Sequence, residues 1–390
     1  VNRKELYLRL PPIAQDVAAT ASWVSTGRWR YDGRTDELVA AARERETWGS
    51  ERWAAWQGEH LERLLHHTAR NVPWYREHWS ARRRRGDRSP VGELTNWPVL
   101  TRAELRADPD AFLADPGTRE QRLSTKRSSG TTGSPVTVRV GRTGLVRWYA
   151  LHEARTRAWY GVSRHDRWAI IGGQPVVPSG RTRPPYWVHN RAGRQLYLSS
   201  HHVGPETAED YLEALQAFRP THLVAYPAQL ARLTRIWEQM GLRPPPVAVV
   251  ISNAELLSAA DRSAIARVFA SPVQNTLGCA EMVVGASEWL DGTMRVWPDA
   301  GVHEALDPDR VPVGPGGTGR LVCTSLLNPD QPMIRYEIGD LLTTPEDPTP
   351  PAGPCRLPLL GEIDGRVQDF LLTRTGAAPC AFNAVTYGLP

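Results

Sequence analysis

The chain has 390 residues, more than one compact core usually holds, which predicts two or three subdomains. Its 47 Lys and Arg against 42 Asp and Glu leave a formal charge of +5, too dilute for a nucleic-acid binder. The one basic run, Arg82 to Arg85 before Gly86, lacks the interleaved aromatics of a binding patch and reads as a solvated loop.

No stretch approaches ~18 continuous apolar residues, and the opening VNRKELYLRLPP has no apolar signal core, so neither a membrane partner nor a leader is expected. Cys279, Cys323, Cys355 and Cys380 are far apart and form no C-x-x-C pair. That spacing suggests neither a zinc site nor a disulfide framework, and a cytoplasmic location fits. The first residue is valine, consistent with a longer natural product.

In chain order, the first hundred residues read as helical. SERWAAWQGEHLERLLHHTARNVPWYREHW puts Trp53, Trp56, Leu61, Leu64 and Leu65 near one helical face, as core side chains, and Pro73 stops the helix. Thr101 stands three residues before Glu104, a capping box that starts another helix. Beyond residue 140, LVRWYALHEARTRAWYG reads as a helix and RWAIIGG as a buried strand. The helix PETAEDYLEALQAF follows, with Tyr211, Leu215 and Phe218 on one side. Then come the strand THLVAYP, the helix AQLARLTRIWEQMG, the strand PVAVVISN, a helix beginning at Ser258, and the strand PVQNTLG. Strands alternating with helices of this length predict a parallel sheet with crossover helices, an α/β fold. After Gly278 the pattern changes: GTMRVWPDAG, GTGRLVCTSL and PMIRYEIGDLLTT read as antiparallel strands of a smaller sheet or barrel. Pro345 to Pro354 is a proline-rich loop.

The segment RSSGTTGSPVTVRV, Arg127 to Val140, stands apart. A hairpin closes with two residues, and this loop spends two glycines and four hydroxyls. A Walker A loop requires G-K-[ST] leading into a helix, whereas Gly133 here precedes Ser134, Pro135 and a strand. What remains is an anion cradle. Backbone N–H groups and the hydroxyls of Ser128, Ser129, Thr131 and Thr132 face a phosphate, and Gly130 and Gly133 supply the close approach such a nest needs.

That loop resembles the phosphate-binding signature of the adenylate-forming superfamily, and within it the phenylacetate–CoA ligase and capsular-polysaccharide-type branch. ISNAELLS, NTLGCAEMVVGASE, PMIRYEIGD and GEIDGRVQDFLLTRTG follow in the order of that family, and HLVAYPAQLARL is also similar. The resemblance spans essentially the whole chain. It implies the large N-terminal domain of an adenylate-forming enzyme, divided as an N-terminal helical segment (1–110), an α/β core carrying the phosphate loop (111–278), a β-rich subdomain (279–364), a hinge (365–376) and the start of a C-terminal lid (377–390).

The resemblance also implies roles. Thr131, Glu281 and Arg366 would be catalytic, with Glu281 near Mg²⁺. Asp340 would accept hydrogen bonds from both ribose hydroxyls, a grip suited to a carboxylate. Ala254, Glu255 and Gly278 would face adenine, and Asp369 would be the hinge. Tyr226, Gly278 and, with a structural role equally open, His202 would face the acyl group. Ser134 stands where many relatives have lysine, and Gln368 where an acidic residue is common. The sequence ends at Pro390, 21 residues past Asp369, so either most of the lid, with the lysine it carries in relatives, lies outside this sequence or the protein works without it. The implied activity is AMP-forming activation of a small, aromatic carboxylic acid with ATP and Mg²⁺. The acyl group would then pass to CoA, an acyl carrier protein or an amine. The rival is a nucleotide-binding relative without ligase activity, kept for binding or scaffolding.

Overall fold

The computed structural model describes residues 3–128, 135–173, 175–366, 370–373 and 376–379, with side chains described for 5–128, 135–173 and 175–363. The chain divides into two compact units, one formed by residues 1–32 and 152–276, the other by 33–151 and 277–390. The fold is mixed α/β, with one largely parallel sheet and several antiparallel ones. Among the described residues no helix is long and apolar enough to cross a membrane.

The first unit is built on a six-stranded sheet in the order Trp187–Asn190, Gln195–Ser199, Trp168–Gly172, His222–Ala225, Val249–Ser252 and Val273–Gln274. The last five strands run parallel and Trp187–Asn190 is an antiparallel edge. HLVA and VVIS are buried at every position, which a parallel sheet covered on both faces requires. Helices Ala208–Phe218, Pro227–Gln239 and Ala259–Phe269 make the crossovers. Trp237, fully buried, ties two of them together by donating its indole N–H to the Ala208 carbonyl at 2.8 Å. The edge strand is covered by helix Pro12–Arg30, whose Asp16 accepts the His189 N–H at 2.8 Å while Thr20 accepts that of Arg191 at 3.1 Å. An edge tied this way offers fewer free donors to another chain.

Where the sequence reads as one helix through Tyr160, the structure has an α-helix, Arg142–His152, then a π turn, Glu153–Arg157, and a 3₁₀ turn, Ala158–Tyr160. The wider turn carries buried Arg157, which donates to the Nε2 of His222 at 3.1 Å and approaches Glu153 at 3.5 Å. Burial first, and then the charge of Arg157, pulls the pKa of His152 and of His222 down to about 3. Burial alone pulls His303, in the second unit, down to about 4. In the unfolded chain these rings protonate near 6.5. Their contribution to stability is therefore complete above that pH and is lost as pH falls toward 3–4, at ~1.4 kcal/mol per pH unit for each ring. The urea midpoint should fall steeply from pH 7 to pH 5, and His222→Gln should shallow that slope. An unchanged wild-type midpoint over the interval would show that the rings are not held neutral.

In the second unit, Pro73 does not simply end a helix. Val72 breaks the run in an extended conformation, and Pro73 opens the next helix, so that Ser50–Asn71 and Pro73–Arg84 follow one another. Proline suits a first helical position because its missing N–H would be unpaired there anyway. Around these helices lie the hairpin of Leu123–Arg127 with Thr137–Gly141, a three-stranded sheet, and a four-stranded antiparallel sheet of Gly301–Leu306, Thr318–Ser325, Tyr336–Thr343 and Glu362–Arg366. Tyr75, Trp97, Leu100, Phe112, Leu321 and Tyr336 fill the core between helices and sheet. The stretch PVQNTLG, expected as one strand, is divided. Val273–Gln274 closes the parallel sheet, and Thr276–Gly278 joins the three-stranded one.

Candidate functional site

The hairpin Leu123–Arg127/Thr137–Gly141 is the stem of the hydroxyl-rich loop. Ser129, Gly130, Thr131, Thr132, Gly133 and Ser134 lie outside the described residues, as do Gln368 and Asp369. Ser128 is described, and it closes the stem: its N–H donates to the Val136 carbonyl at 3.0 Å, and its hydroxyl accepts the Val136 N–H at 2.9 Å. The outgoing strand is clamped by residues to which the sequence reading gave no role. Gln331 accepts the Arg139 N–H at 2.6 Å, Asn328 donates to the Arg139 carbonyl at 2.9 Å, and Asp330 accepts the Gly141 N–H at 3.1 Å. All three side chains are almost wholly buried. Glu120 then takes the N–H groups of Arg142 and Thr143 at 2.7 and 2.8 Å, satisfying the first turn of the helix that follows. Its carboxyl pKa is lowered: burial opposes the shift, and the hydrogen bonds from Thr143 and Arg142 outweigh it.

Two of the acidic residues expected from the motifs, Glu281 and Asp340, lie in the same unit. Glu281 sits in a tight turn closed by the Met282 N–H on the Cys279 carbonyl at 3.0 Å, with Met282 at φ +57°. The hydroxyl of Ser325 holds the turn by donating to the Met282 carbonyl at 3.0 Å. The Glu281 carboxylate is 3% exposed, so it needs partners. Its Oε1 accepts the hydroxyl of Tyr336 at 3.2 Å and lies 3.6 Å from the guanidinium of Arg102. Desolvation works against the charge of Arg102, but Tyr336 and then Glu281 outweigh it and raise its pKa, with Asp340 adding to the same effect. Burial, followed by the negative charge of Glu281, pushes the Tyr336 hydroxyl well above the phenol range and the Cys279 thiol up to about 12. Neither group is therefore ionised near neutrality.

Backbone pairing brings Arg102 there. Leu100 bridges Tyr336, donating to the Arg335 carbonyl and accepting from the Glu337 N–H, each at 2.9 Å. The expected capping box, Thr101 with Glu104, then turns the chain into helix Arg102–Ala107 directly beside Tyr336–Thr343. Arg335 holds the other side with a two-pronged bond to Glu304 at 2.9 and 3.0 Å, its own backbone in the left-handed region at φ +49°. On the same sheet, Asp340 and Arg366 are directly opposed residues of neighbouring strands. Arg366 is described only in its backbone. Gly278 faces Trp148, whose ring a Cβ there would meet at 3.4 Å.

In the first unit, Tyr226, Ala254 and Glu255 follow the carboxyl ends of two neighbouring parallel strands, and His202 follows that of a third. That edge is where open α/β sheets place ligands. Ala254 adopts φ +64°, a conformation that costs a non-glycine residue energy. Glu255 is half-buried and its carboxyl pKa is raised, chiefly by burial, although it accepts a hydrogen bond from the Ala228 backbone. Its Oε2 finds no hydrogen-bond partner among the described residues. His202 stacks on Tyr186 at 5.0 Å and shares a 2.8 Å hydrogen bond with the Ser199 hydroxyl.

Among the described residues no group of three or more His, Cys, Asp or Glu side chains converges on a metal position. Glu281 offers one hard carboxylate. That fits Mg²⁺ in the manner it takes at nucleotides, with one or two protein carboxylates and the remaining ligands from phosphate and water.

Sequence and structure comparisons show what the chain is similar to. No protein-family model matches the chain. A phenylacetate–coenzyme A ligase of Thermus thermophilus is 27% identical over 379 residues, covering 89% of this chain and 78% of that protein. A phenylacetate–coenzyme A ligase of Escherichia coli is 27% identical, covering 82% and 72%. The protein CapK of Staphylococcus aureus is 23% identical, covering 82% and 69%. Among solved structures, a 2-hydroxyisobutyryl-CoA ligase in the postadenylation state, in complex with R3-HIB-AMP, superposes with a TM-score of 0.65 at 18% identity, over 86% of this chain and 72% of that one. An open conformation of 2-hydroxyisobutyryl-CoA ligase, in complex with 2-HIB-AMP and CoA, gives 0.62 at 19% identity, over 86% and 80%. With the ordered motifs and this fold, the chain is similar to the ATP-dependent adenylate-forming ligases, and in sequence to phenylacetate–CoA ligases and CapK.

Proposed function

We propose that the protein activates a small carboxylic acid as its acyl-adenylate, releasing pyrophosphate from ATP, and passes the acyl group to the thiol of CoA. The observation that carries this reading is the set of Arg102, Glu281 and Tyr336 assembled beside the strand of Asp340. A buried carboxylate there is held by a cation and a hydroxyl, next to a second carboxylate opposed to Arg366. The CoA-ligase names of the relatives support the acceptor. The finer expectations, an aromatic acid and a carrier-protein or amine acceptor, stand as proposals, the first of them tested by the substrate screen below.

On this reading Asp340 grips the ribose diol. Arg366, with Ser128, Ser129, Gly130, Thr131, Thr132 and Gly133 of the loop, holds phosphate oxygens. Glu281 is the residue that would hold Mg²⁺, which neutralises phosphate charge when bound. Ala254, Glu255 and Gly278 are assigned to adenine, Tyr226 and His202 to the acid, and Asp369 to a hinge. The acid's oxygen attacks the α-phosphorus, the bond to the bridging oxygen breaks, and pyrophosphate leaves with that oxygen. A sulfur nucleophile then displaces AMP from the acyl carbon. Arg102 contributes by holding the Glu281 carboxylate oriented before ATP arrives, so that little reorganisation remains when phosphate charge enters.

A substrate screen tests the reading. With ATP, CoA and a panel of aliphatic and aromatic acids, the protein should convert ATP to AMP and pyrophosphate in step with thioester. ADP as the stoichiometric product would sink it. Thioester formed best from a short aliphatic acid would keep the adenylation and remove the aromatic assignment.

A further inference from the structure

A cavity of about 220 Å³ opens in the second unit among helices Thr35–Arg45, Ser50–Asn71 and Arg142–His152. Its walls are largely apolar: Leu38, Trp56, Ala150, Leu151, Leu326 and Leu327. The spacing follows from helix geometry. Arg147, Ala150 and Leu151 stand at i, i+3 and i+4 on one helix face, and Trp56 and His60 at i and i+4 on another.

The polar groups on the wall are unequal. Arg45 donates its Nε–H to Asp299 at 3.1 Å, and Asp299, with its side chain 5% exposed, is the one acid among the lining residues. His60 stacks on Trp56 at 3.8 Å and donates its Nδ1–H to the Trp56 carbonyl at 2.8 Å. The guanidinium of Arg45 lies over the same indole at 5.7 Å. Arg147 is exposed and has no hydrogen-bond or ion-pair partner among the described residues, while partial desolvation, and then the charges of Arg34, Arg45 and Arg63, pull its pKa down. A guanidinium held among like charges gains from an incoming anion.

We propose that this cavity binds a small monocarboxylate with an apolar body, its carboxylate held by Arg147. The planar fork of a guanidinium matches two carboxylate oxygens. One lining cation is already neutralised by Asp299, which leaves one charge for the ligand to match. An apolar cavity of ~150 Å³ holds one benzene ring, so this one is adequate for one ring or a branched chain. Trp56, with His60 stacked on it and Arg45 over its ring, adds an aromatic wall to the cavity. The leucines reward an apolar body and leave a phosphate with unmet hydrogen bonds. This site is independent of the adenylation reading, since it uses none of the residues assigned there.

The test uses the whole protein without ATP and 4-fluorobenzoate as the probe, followed by fluorine NMR, with 4-fluorobenzamide and inorganic phosphate for comparison. Arg147→Leu should fold normally, because Arg147 gives up no partner, and should weaken 4-fluorobenzoate binding at least tenfold. Ala150→Leu, which fills the cavity with an apolar group, should weaken it comparably. Asp340→Ala should leave it unchanged. Equal binding of 4-fluorobenzamide would overturn the assignment of the charge. Displacement of the probe by equimolar phosphate would overturn the apolar body. Undiminished binding by both Arg147→Leu and Ala150→Leu would place the probe elsewhere and end the proposal.

Discussion

Glu281→Gln should lower the rate of acyl-adenylate formation by ~10²–10³-fold, the usual loss when one preorganised electrostatic group is removed. The substitution preserves size and an acceptor for Tyr336, and removes the negative charge that faces Arg102. It should therefore leave the fold intact, whereas Glu281→Ala would strand a buried hydroxyl and a half-buried guanidinium and cost several kcal/mol of stability. Pyrophosphate–ATP exchange at saturating acid and Mg²⁺ reads the chemical step directly. Arg102→Ala should slow exchange less than Glu281→Gln, and the two together should be no worse than Glu281→Gln alone, because Arg102 acts through Glu281. Additive losses would show that Arg102 makes its own contact with the nucleotide. Wild-type exchange by Glu281→Gln would return the carboxylate to a structural role.

Asp340→Ala should weaken ATP binding by ~10²–10⁴-fold, the equivalent of two charge-assisted hydrogen bonds at ~1.5–3 kcal/mol each. Asp340 is partly exposed on its strand, so the loss should appear in affinity rather than in melting. A nucleotide series adds a readout that a structural role would not move. The wild type should bind ATP more tightly than 2′-deoxy-ATP, and Asp340→Ala should bind the two alike. Discrimination that survives the substitution would show that another group reads the ribose.

Much of the architecture was legible because it is local. Four-residue apolar strands such as His222–Ala225 and Val249–Ser252, each followed by an amphipathic helix, can only be buried in a parallel sheet. Thr101 and Glu104 announce their helix within four residues, and the structure has that capping box. Other elements were not legible for equally physical reasons. The edge strand Trp187–Asn190 and its neighbour Gln195–Ser199 carry no strong alternation, and they pair because the sheet and helix Pro12–Arg30 give their backbones partners. Trp56 shares a helical face with Trp53, yet Trp53 is 3% exposed and Trp56 lines a cavity, since neighbouring helices reach only part of that face.

The division at the candidate site is similar. The order and residue types of the motifs, read from the sequence alone, single out Glu281, Asp340 and Arg366. Their chemistry is carried by side-chain identity, which no partner has to supply. Partnership was decided by tertiary structure. Strand register sets Asp340 opposite Arg366, a parallel bridge at Leu100 brings Arg102 to Glu281 and Tyr336, and Asn328, Asp330 and Gln331 clamp the strand that follows the hydroxyl-rich segment. Each of these contacts joins segments far apart in the chain. A local pattern records which groups a residue can offer, and the packing of the whole chain fixes which group it meets.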